Sequence, residues 1–99
     1  MHTVVRLPEG EIPCTIREVV SALNDQKLEA RHEKKDWGDW ITLGGTDTVI
    51  SIESLRGLTS TATIEHGEEE PEGLSPRLQR AFHEIGWVGV DDDGLYPLG

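Results

Sequence analysis

The single cysteine is the best nucleophile candidate in the chain. Cys14 lies directly before Thr15, which is predicted to cap a helix, and the partial positive charge at a helix N-terminus favours a thiolate. No general base can be assigned to it, because the four histidines are scattered along the chain. Structural cysteines are mostly inert, so the sequence favours a small, half-buried apolar role for Cys14 over a catalytic one.

Two histidines have neighbours that suggest chemistry. His66 lies beside Glu65 in the segment EHGEEEPEG, and imidazole together with carboxylates binds transition metals. Because no second histidine stands at ligand spacing, we expect no metal site there. His83 follows Phe82 near the end of a predicted helix, where the helix dipole favours a solvated histidine. The sequence therefore predicts neither a bound metal nor another cofactor.

The segment DDDG has the opening pattern of a calcium loop. Such a loop needs a glycine at its sixth position, but counting from Asp91 that position is Tyr96. We therefore expect Asp91, Asp92 and Asp93 to form a hairpin turn that adsorbs cations only weakly. The glycine pair in LGGTD does not lead from a strand into a helix, so it indicates a turn and not a phosphate-binding loop.

Trp37 and Trp40 bracket a predicted hairpin turn, and exposed aromatic side chains often anchor protein interfaces. If a strand begins at Trp37, the two indoles point to opposite faces of the sheet, so that one could lie in the core and the other be a surface anchor. The favoured alternative is that both pack in the core or at its edge. Arg31, Lys34 and Lys35 next to them form the only basic cluster, and this pattern is typical of a charged sheet edge.

The distribution of charge is the most unusual feature of the sequence. The chain has 19 acidic and 9 basic residues, and the whole excess falls in residues 36–99, with 13 acids against 3 bases. Eight of those acids form two clusters that contain Gly or Pro and therefore indicate loops. The candidate binding residues are Trp37, Trp40, Glu68, Glu69, Glu70, Asp91, Asp92 and Asp93.

Length and composition limit the class of protein. A chain of 99 residues accommodates one small domain, here residues 1–99. One cysteine excludes an internal disulfide, and the first residues lack a secretion signal, so we expect a cytoplasmic protein. No apolar run approaches the length of a membrane span. A net charge of −10 argues against binding to nucleic acid.

Two helices are predicted from capping residues and apolar spacing. In the first, Thr15 and Glu18 form a capping box ahead of the stripe Ile16, Val19, Val20 and Leu23. In the second, Ser75 is predicted as the N-cap with Pro76 in the first helical position, and Gly86 closes the helix. The second stripe consists of Leu78, Ala81, Phe82 and Ile85.

Between the helices the apolar period changes from 3.6 to 2, which indicates strands. LEARHEKK and WITL are predicted to form a hairpin, followed after turns by TVISIE and LTSTATIEH. In the last of these, Leu58, Ser60, Ala62 and Ile64 are predicted to share the buried face, with threonines on the other. Thr3 to Leu7 and Trp87 to Val90 are predicted as flanking strands, with LYPL as a further hairpin partner.

The element order β-α-β-β-β-β-α-β predicts an α+β fold. Two amphipathic helices bury their stripes by packing on the apolar face of a largely antiparallel sheet, so we expect a two-layer sandwich with both helices on one side. The threonine-rich face is then open to solvent or to a partner.

Three functions are compatible with these features. The first is a non-catalytic interaction or regulatory module whose partner is a basic protein or a second copy, since Lys34 and Lys35 complement the acids at Glu68 to Glu70. The second is an inhibitor of the immunity-protein or DNA-mimic type, in which carboxylates replace phosphates. The third is a small enzyme that uses Cys14, although a thin sandwich has little depth for an active site.

Overall fold

The computed structural model describes residues 1–99 and has ten regular elements. The strands are β1 (His2–Arg6), β2 (Cys14–Thr15), β3 (Ala30–Lys35), β4 (Gly38–Leu43), β5 (Val49–Leu55), β6 (Leu58–Glu65), β7 (Val88–Asp91) and β8 (Gly94–Tyr96), and the helices are α1 (Ile16–Asp25) and α2 (Leu74–Glu84).

All strands belong to one antiparallel sheet in the order β3-β4-β5-β6-β1-β7-β8, and the short β2 pairs with β6. Side chains alternate along the central strands, so that Ile50 and Ile52 of β5 are fully buried while Ser51 between them is half-exposed. The buried face and the apolar sides of both helices form a single core cluster. The predicted two-layer α+β sandwich is therefore confirmed. Neither helix is long and apolar enough to cross a membrane.

Helix α1 follows the prediction closely. Thr15 is its N-cap, with the Thr15 hydroxyl accepting from the Glu18 backbone N–H at 3.1 Å and the Glu18 carboxylate facing the Thr15 backbone N–H at 3.4 Å. This capping box satisfies donors that a helix start leaves free. Ile16, Val19 and Leu23 are buried, as the apolar spacing predicts.

Helix α2 begins two residues earlier than predicted. Gly73, in the left-handed conformation, is its N-cap, and the predicted cap Ser75 lies inside the first turn. The Ser75 hydroxyl donates to the Glu70 carboxylate, and its oxygen accepts no hydrogen bond from a backbone N–H of the first turn. The predicted N-cap was wrong because the Arg77 backbone N–H already bonds the Gly73 carbonyl at 3.3 Å, which places the cap two residues before Ser75. Gly86 follows the helix with φ of +85°, the conformation expected of a closing glycine.

The predicted phase of β6 was wrong at its start. Thr59 is buried and Leu58 and Ser60 are exposed, the reverse of the expectation, whereas Ala62 and Ile64 are buried as predicted. The cause is a β-bulge. Ser54 pairs with Thr59 but the preceding Glu53 pairs with Thr61, so one residue of β6 has no partner on β5. An extra residue exchanges the two faces of a strand beyond it.

The sheet face opposite the helices is uncovered, and we call it the open face. It carries mostly half-exposed side chains from β1, β4, β5, β6 and β7: Val4, Arg6, Trp40, Thr42, Val49, Ser51, Glu53, Thr61, Thr63, Val88 and Val90. The open threonine-rich surface expected from the sequence is therefore present.

Candidate functional site

Exposed apolar side chains gather at one end of the sheet, where two hairpin turns meet the loop before β2. Pro13, Trp37, Leu55 and Leu58 line a surface groove of about 610 Å³, and we call these four residues the tip patch. Trp37 is 51%, Leu55 76% and Leu58 44% exposed. A fifth apolar side chain, Ile12, is 86% exposed and directly precedes Pro13.

The bulge in β6 is what turns Leu58 outward. It also frees the backbone carbonyl of Glu53, to which the Thr59 hydroxyl donates at 2.8 Å from inside the core. Leu55 and Leu58 flank a two-residue turn in which Arg56 and Gly57 both have positive φ, the type I′ geometry that suits a tight hairpin. The hydrogen bond at the bulge and the type I′ turn therefore keep Leu55 and Leu58 exposed to solvent.

Trp37 lies in the turn before β4 and not in a strand. The condition under which Trp37 and Trp40 would point to opposite faces of the sheet is therefore not met. Its indole packs edge-to-face on Trp40, with ring centroids 6.3 Å apart, and Trp40 is half-exposed on the open face. The expectation of a tryptophan inside the core was wrong for both residues, because the strand begins at Gly38 and Trp40 lies on the open face. The exposed Trp37 agrees with the alternative of one tryptophan at the surface. A Cβ at Gly38 would collide with the backbone carbonyl of Ile52, so this close approach of β4 and β5 needs a glycine.

The two acidic loops leave the sheet at the opposite end. β6 ends at Glu65 opposite His2, and β7 ends at Asp91 just beyond the pair formed by Val4 and Val90. Only β1 lies between them, so the strand ends are about 10 Å apart. We call this region the acidic end, and its exposed members are Glu65, Glu68, Glu69, Glu72, Asp91, Asp92 and Asp93.

Glu70 differs from its neighbours because its carboxylate is engaged inside the protein. It accepts hydrogen bonds from the Ser75 hydroxyl, from Thr48 at 3.3 Å and from His66 Nδ1 at 2.6 Å. His66 Nε2 in turn lies 2.7 Å from the Thr3 hydroxyl. Burial alone would raise the pKa of Glu70, but the hydrogen bonds from Ser75, His66 and Thr48 and the charge of His66 outweigh it and lower the pKa.

The chain Thr3–His66–Glu70 has the order of a hydroxyl, an imidazole and a carboxylate. Thr3 lies on the helix-covered face of the sheet, opposite Ile64, and five cavities at the protein surface are lined by other residues. A nucleophile needs space beside it for a substrate. We therefore interpret these two hydrogen bonds as a structural link that holds the acidic loop against β1. Sequence reasoning did not identify it.

A second hydrogen-bonded carboxylate, that of Asp39, links strands at the tip end of the sheet. Asp39 on β4 is 1% exposed and bonds His32 of β3 and the hydroxyl of Ser54 on β5. Burial opposes ionisation, but the hydrogen bonds from Ser54 and His32, with the charges of His32 and Lys34, lower the pKa of Asp39 overall. One carboxylate thus connects three adjacent strands beneath the tip patch.

Cys14 is buried, and its sulfur accepts a hydrogen bond from the indole N–H of Trp87 at 3.3 Å. None of the four histidines bonds the sulfur. Trp87 is itself 1% exposed and packs on Phe82 with ring centroids 5.2 Å apart. The contacts of Cys14 are therefore those of a core residue at the start of α1.

No group of three or more His, Cys, Asp and Glu side chains is placed to hold a metal ion. The tip patch and the acidic end remain as the two surfaces whose composition departs from an ordinary solvated exterior. Comparison of the chain with protein-family models, curated proteins and solved structures found no match.

Proposed function

We propose that the protein is a non-catalytic interaction module that binds a partner protein through the tip patch. The observation that carries this proposal is the clustering of exposed apolar side chains. Of the six large apolar residues that are exposed, Trp37, Leu55 and Leu58 line one groove, and Ile12 directly precedes Pro13 of the same groove. Scattered apolar residues are normal on a protein surface, but a cluster with an exposed tryptophan is typical of an interface.

The fold supports this use of the tip patch. Asp39 and the bulge at Thr59 support the two hairpins from inside, so the patch is presented on a preformed surface. A preformed surface loses little conformational entropy on binding. The buried position of Cys14 beside Trp87 favours a binding role over a catalytic one, and a single reduced thiol suits the cytoplasm.

The test compares the effect of replacing two exposed leucines of the patch with the effect of replacing one exposed leucine outside it. The double variant Leu55→Ser/Leu58→Ser removes apolar surface at the tip, and Leu95→Ser is the matched control because Leu95 is 56% exposed on β8. Proteins captured by the wild type from an extract are identified, purified and titrated against each variant. We expect at least a tenfold loss of affinity for the double variant, about 1.4 kcal/mol, and none for the control.

Equal retention of the partner by the wild type and the double variant would contradict the proposal. Analytical ultracentrifugation of the protein alone tests the other partner considered, a second copy. Ten net negative charges on each copy oppose that association, and they oppose binding to nucleic acid as well.

A second candidate function is inhibition of a basic protein by the acidic end, in the manner of an immunity protein or a DNA mimic. It is favoured by one observation, the meeting of two acidic loops that are far apart in the sequence at a single end of the sheet. Carboxylates grouped in this way accelerate association with a basic partner, and salt screens the effect.

Charge-neutral variants separate this candidate from the first. Glu68→Gln/Glu69→Gln removes two exposed charges without disturbing the bonds of Glu70, and Asp91→Asn/Asp92→Asn/Asp93→Asn removes the other cluster. If the acidic end binds the partner, both variants slow association and weaken its salt dependence. Association that ignores salt and both variants would exclude this candidate.

A further inference from the structure

We propose that the groove of the tip patch receives a basic side chain, preferably arginine, from the partner protein, with its charged head at Glu53 and its stem against the apolar residues. This inference rests on the proposed function and names the chemistry that the patch recognises.

Glu53 is an exposed carboxylate with no partner of its own. Its side chain takes part in no ion pair and no hydrogen bond, and only its backbone carbonyl is bonded, by Thr59. It lines the large groove and also a smaller cavity of about 210 Å³, and Trp37 lines both as well. An anion and an indole therefore border the same two concave spaces.

The nearest cations in the row of residues that pair across the strands with Glu53 on the open face already have other partners. Glu53 pairs with Gly38 on one side and Thr61 on the other, and neither carries a charge. The next residues along the row are Lys35 and Arg6, about 10 Å away across two strand spacings. Lys35 lies 3.5 Å from Glu33, and Arg6 donates to a backbone carbonyl at 3.0 Å.

The surroundings of Glu53 match an amphipathic cation better than any other side chain. Leu55, Leu58 and Pro13 offer apolar contact to a methylene stem, and the face of Trp37 attracts a cation. An apolar or acidic side chain in the groove would instead remove the Glu53 carboxylate from water without compensation. Arginine is favoured over lysine because its planar head stacks on indole and bonds a carboxylate with two N–H groups.

The test uses three capped tripeptides that differ at one position. Each has leucine at both ends and, in the middle, arginine, its uncharged isostere citrulline or norleucine. Binding is followed by NMR through backbone amides and the indole N–H signals of the three tryptophans, Trp37, Trp40 and Trp87. We expect the arginine peptide to move the Trp37 signal saturably and to bind about tenfold more tightly than the citrulline peptide.

Two protein variants locate the charge that is responsible. Glu53→Gln should abolish the preference for arginine over citrulline, whereas Glu65→Gln, an exposed glutamate on the same face at the acidic end, should leave it unchanged within about twofold. Trp37→Leu keeps an apolar side chain at the groove and should weaken the arginine peptide more than the norleucine peptide.

The outcomes separate this inference from the proposed function. If all three peptides bind equally to wild type and to Glu53→Gln, the patch is a docking surface but the inference of a basic side chain is wrong. If no peptide binds at millimolar concentration, the inference is likewise overturned, while the Leu55→Ser/Leu58→Ser experiment on the whole partner decides independently whether the patch is an interface.

Discussion

Truncation of Glu70 should destabilise the protein far more than truncation of Glu69 beside it. Glu70→Ala leaves three donors without their acceptor, namely the Thr48 and Ser75 hydroxyls and His66 Nδ1. A buried donor that loses its partner costs about 1–3 kcal/mol, and Thr48 is completely buried. We expect a total loss of about 3 kcal/mol, which lowers Tm of a domain of this size by about 12 °C or more.

The measurement is urea unfolding followed by tryptophan emission, with Glu69→Ala as the matched control. Glu69 is exposed and has no hydrogen bond or ion pair, so its truncation should change the free energy of unfolding by no more than about 0.5 kcal/mol. A shift in midpoint at constant slope identifies a change of stability and not of compactness. Equal urea midpoints for the two variants would refute the interpretation of the Glu70 hydrogen bonds as a stabilising structural link.

The pH dependence supplies an independent check on the same carboxylate. The pKa of Glu70 is lower in the folded protein than its ordinary value, so the carboxylate stabilises the fold above the unfolded pKa. This contribution is lost as the pH falls from about 4 through the lower folded pKa. Glu70→Gln should therefore be about 1 kcal/mol less stable than the wild type at neutral pH and nearly equal to it in acid. A difference that persisted unchanged in acid would show that the charge of Glu70 is not responsible.

Three further predictions follow from the core and the turns. Phe82→Ala should cost about 3–5 kcal/mol in chemical unfolding, and Ile85→Ala should cost less because Ile85 is only partly buried; equal losses would contradict the packing described. Cys14 should react with a thiol reagent no faster in the native protein than a free cysteine peptide does, and labelling tens of times faster would revive the enzyme hypothesis. Gly38→Ala should lower the free energy of unfolding by about 2 kcal/mol or more, because its Cβ would collide with a backbone carbonyl. Gly45→Ala, also at positive φ but with open space around it, should cost less when both variants are compared by thermal unfolding.

Local signals made much of the fold predictable from the sequence. The capping box at Thr15, the two apolar stripes and the Arg56–Gly57 turn each depend on residues close together in the chain. These signals led to the correct class, two layers and an open sheet face. The N-cap at Ser75 and the placement of Trp37 were wrong because the elements begin at other residues than the local pattern indicates, and the phase of Leu58 was wrong because one residue of β6 is unpaired.

The candidate site was less predictable because residue type alone does not distinguish neighbours in a cluster. Glu68, Glu69 and Glu70 are equivalent in the sequence, yet only Glu70 meets Thr48 and Ser75 after folding. Nothing in the local sequence distinguishes Glu53 either, because its importance comes from the groove that the hairpin turns create. The roles of Glu70 and Glu53 depend on contacts between distant segments, which the local sequence pattern does not reveal.

The error at Leu58 bears directly on the proposed function. A regular β6 in phase with Ala62 and Ile64 would turn Leu58 toward the core and Thr59 toward solvent, which favours apolar burial. The bulge reverses both, so that a threonine hydroxyl is buried on a carbonyl and a leucine is 44% exposed. Departures from the arrangement that stability alone prefers concentrate at functional sites. The bulge that exposes Leu58 beside Trp37 therefore supports the proposal that the tip patch binds a partner.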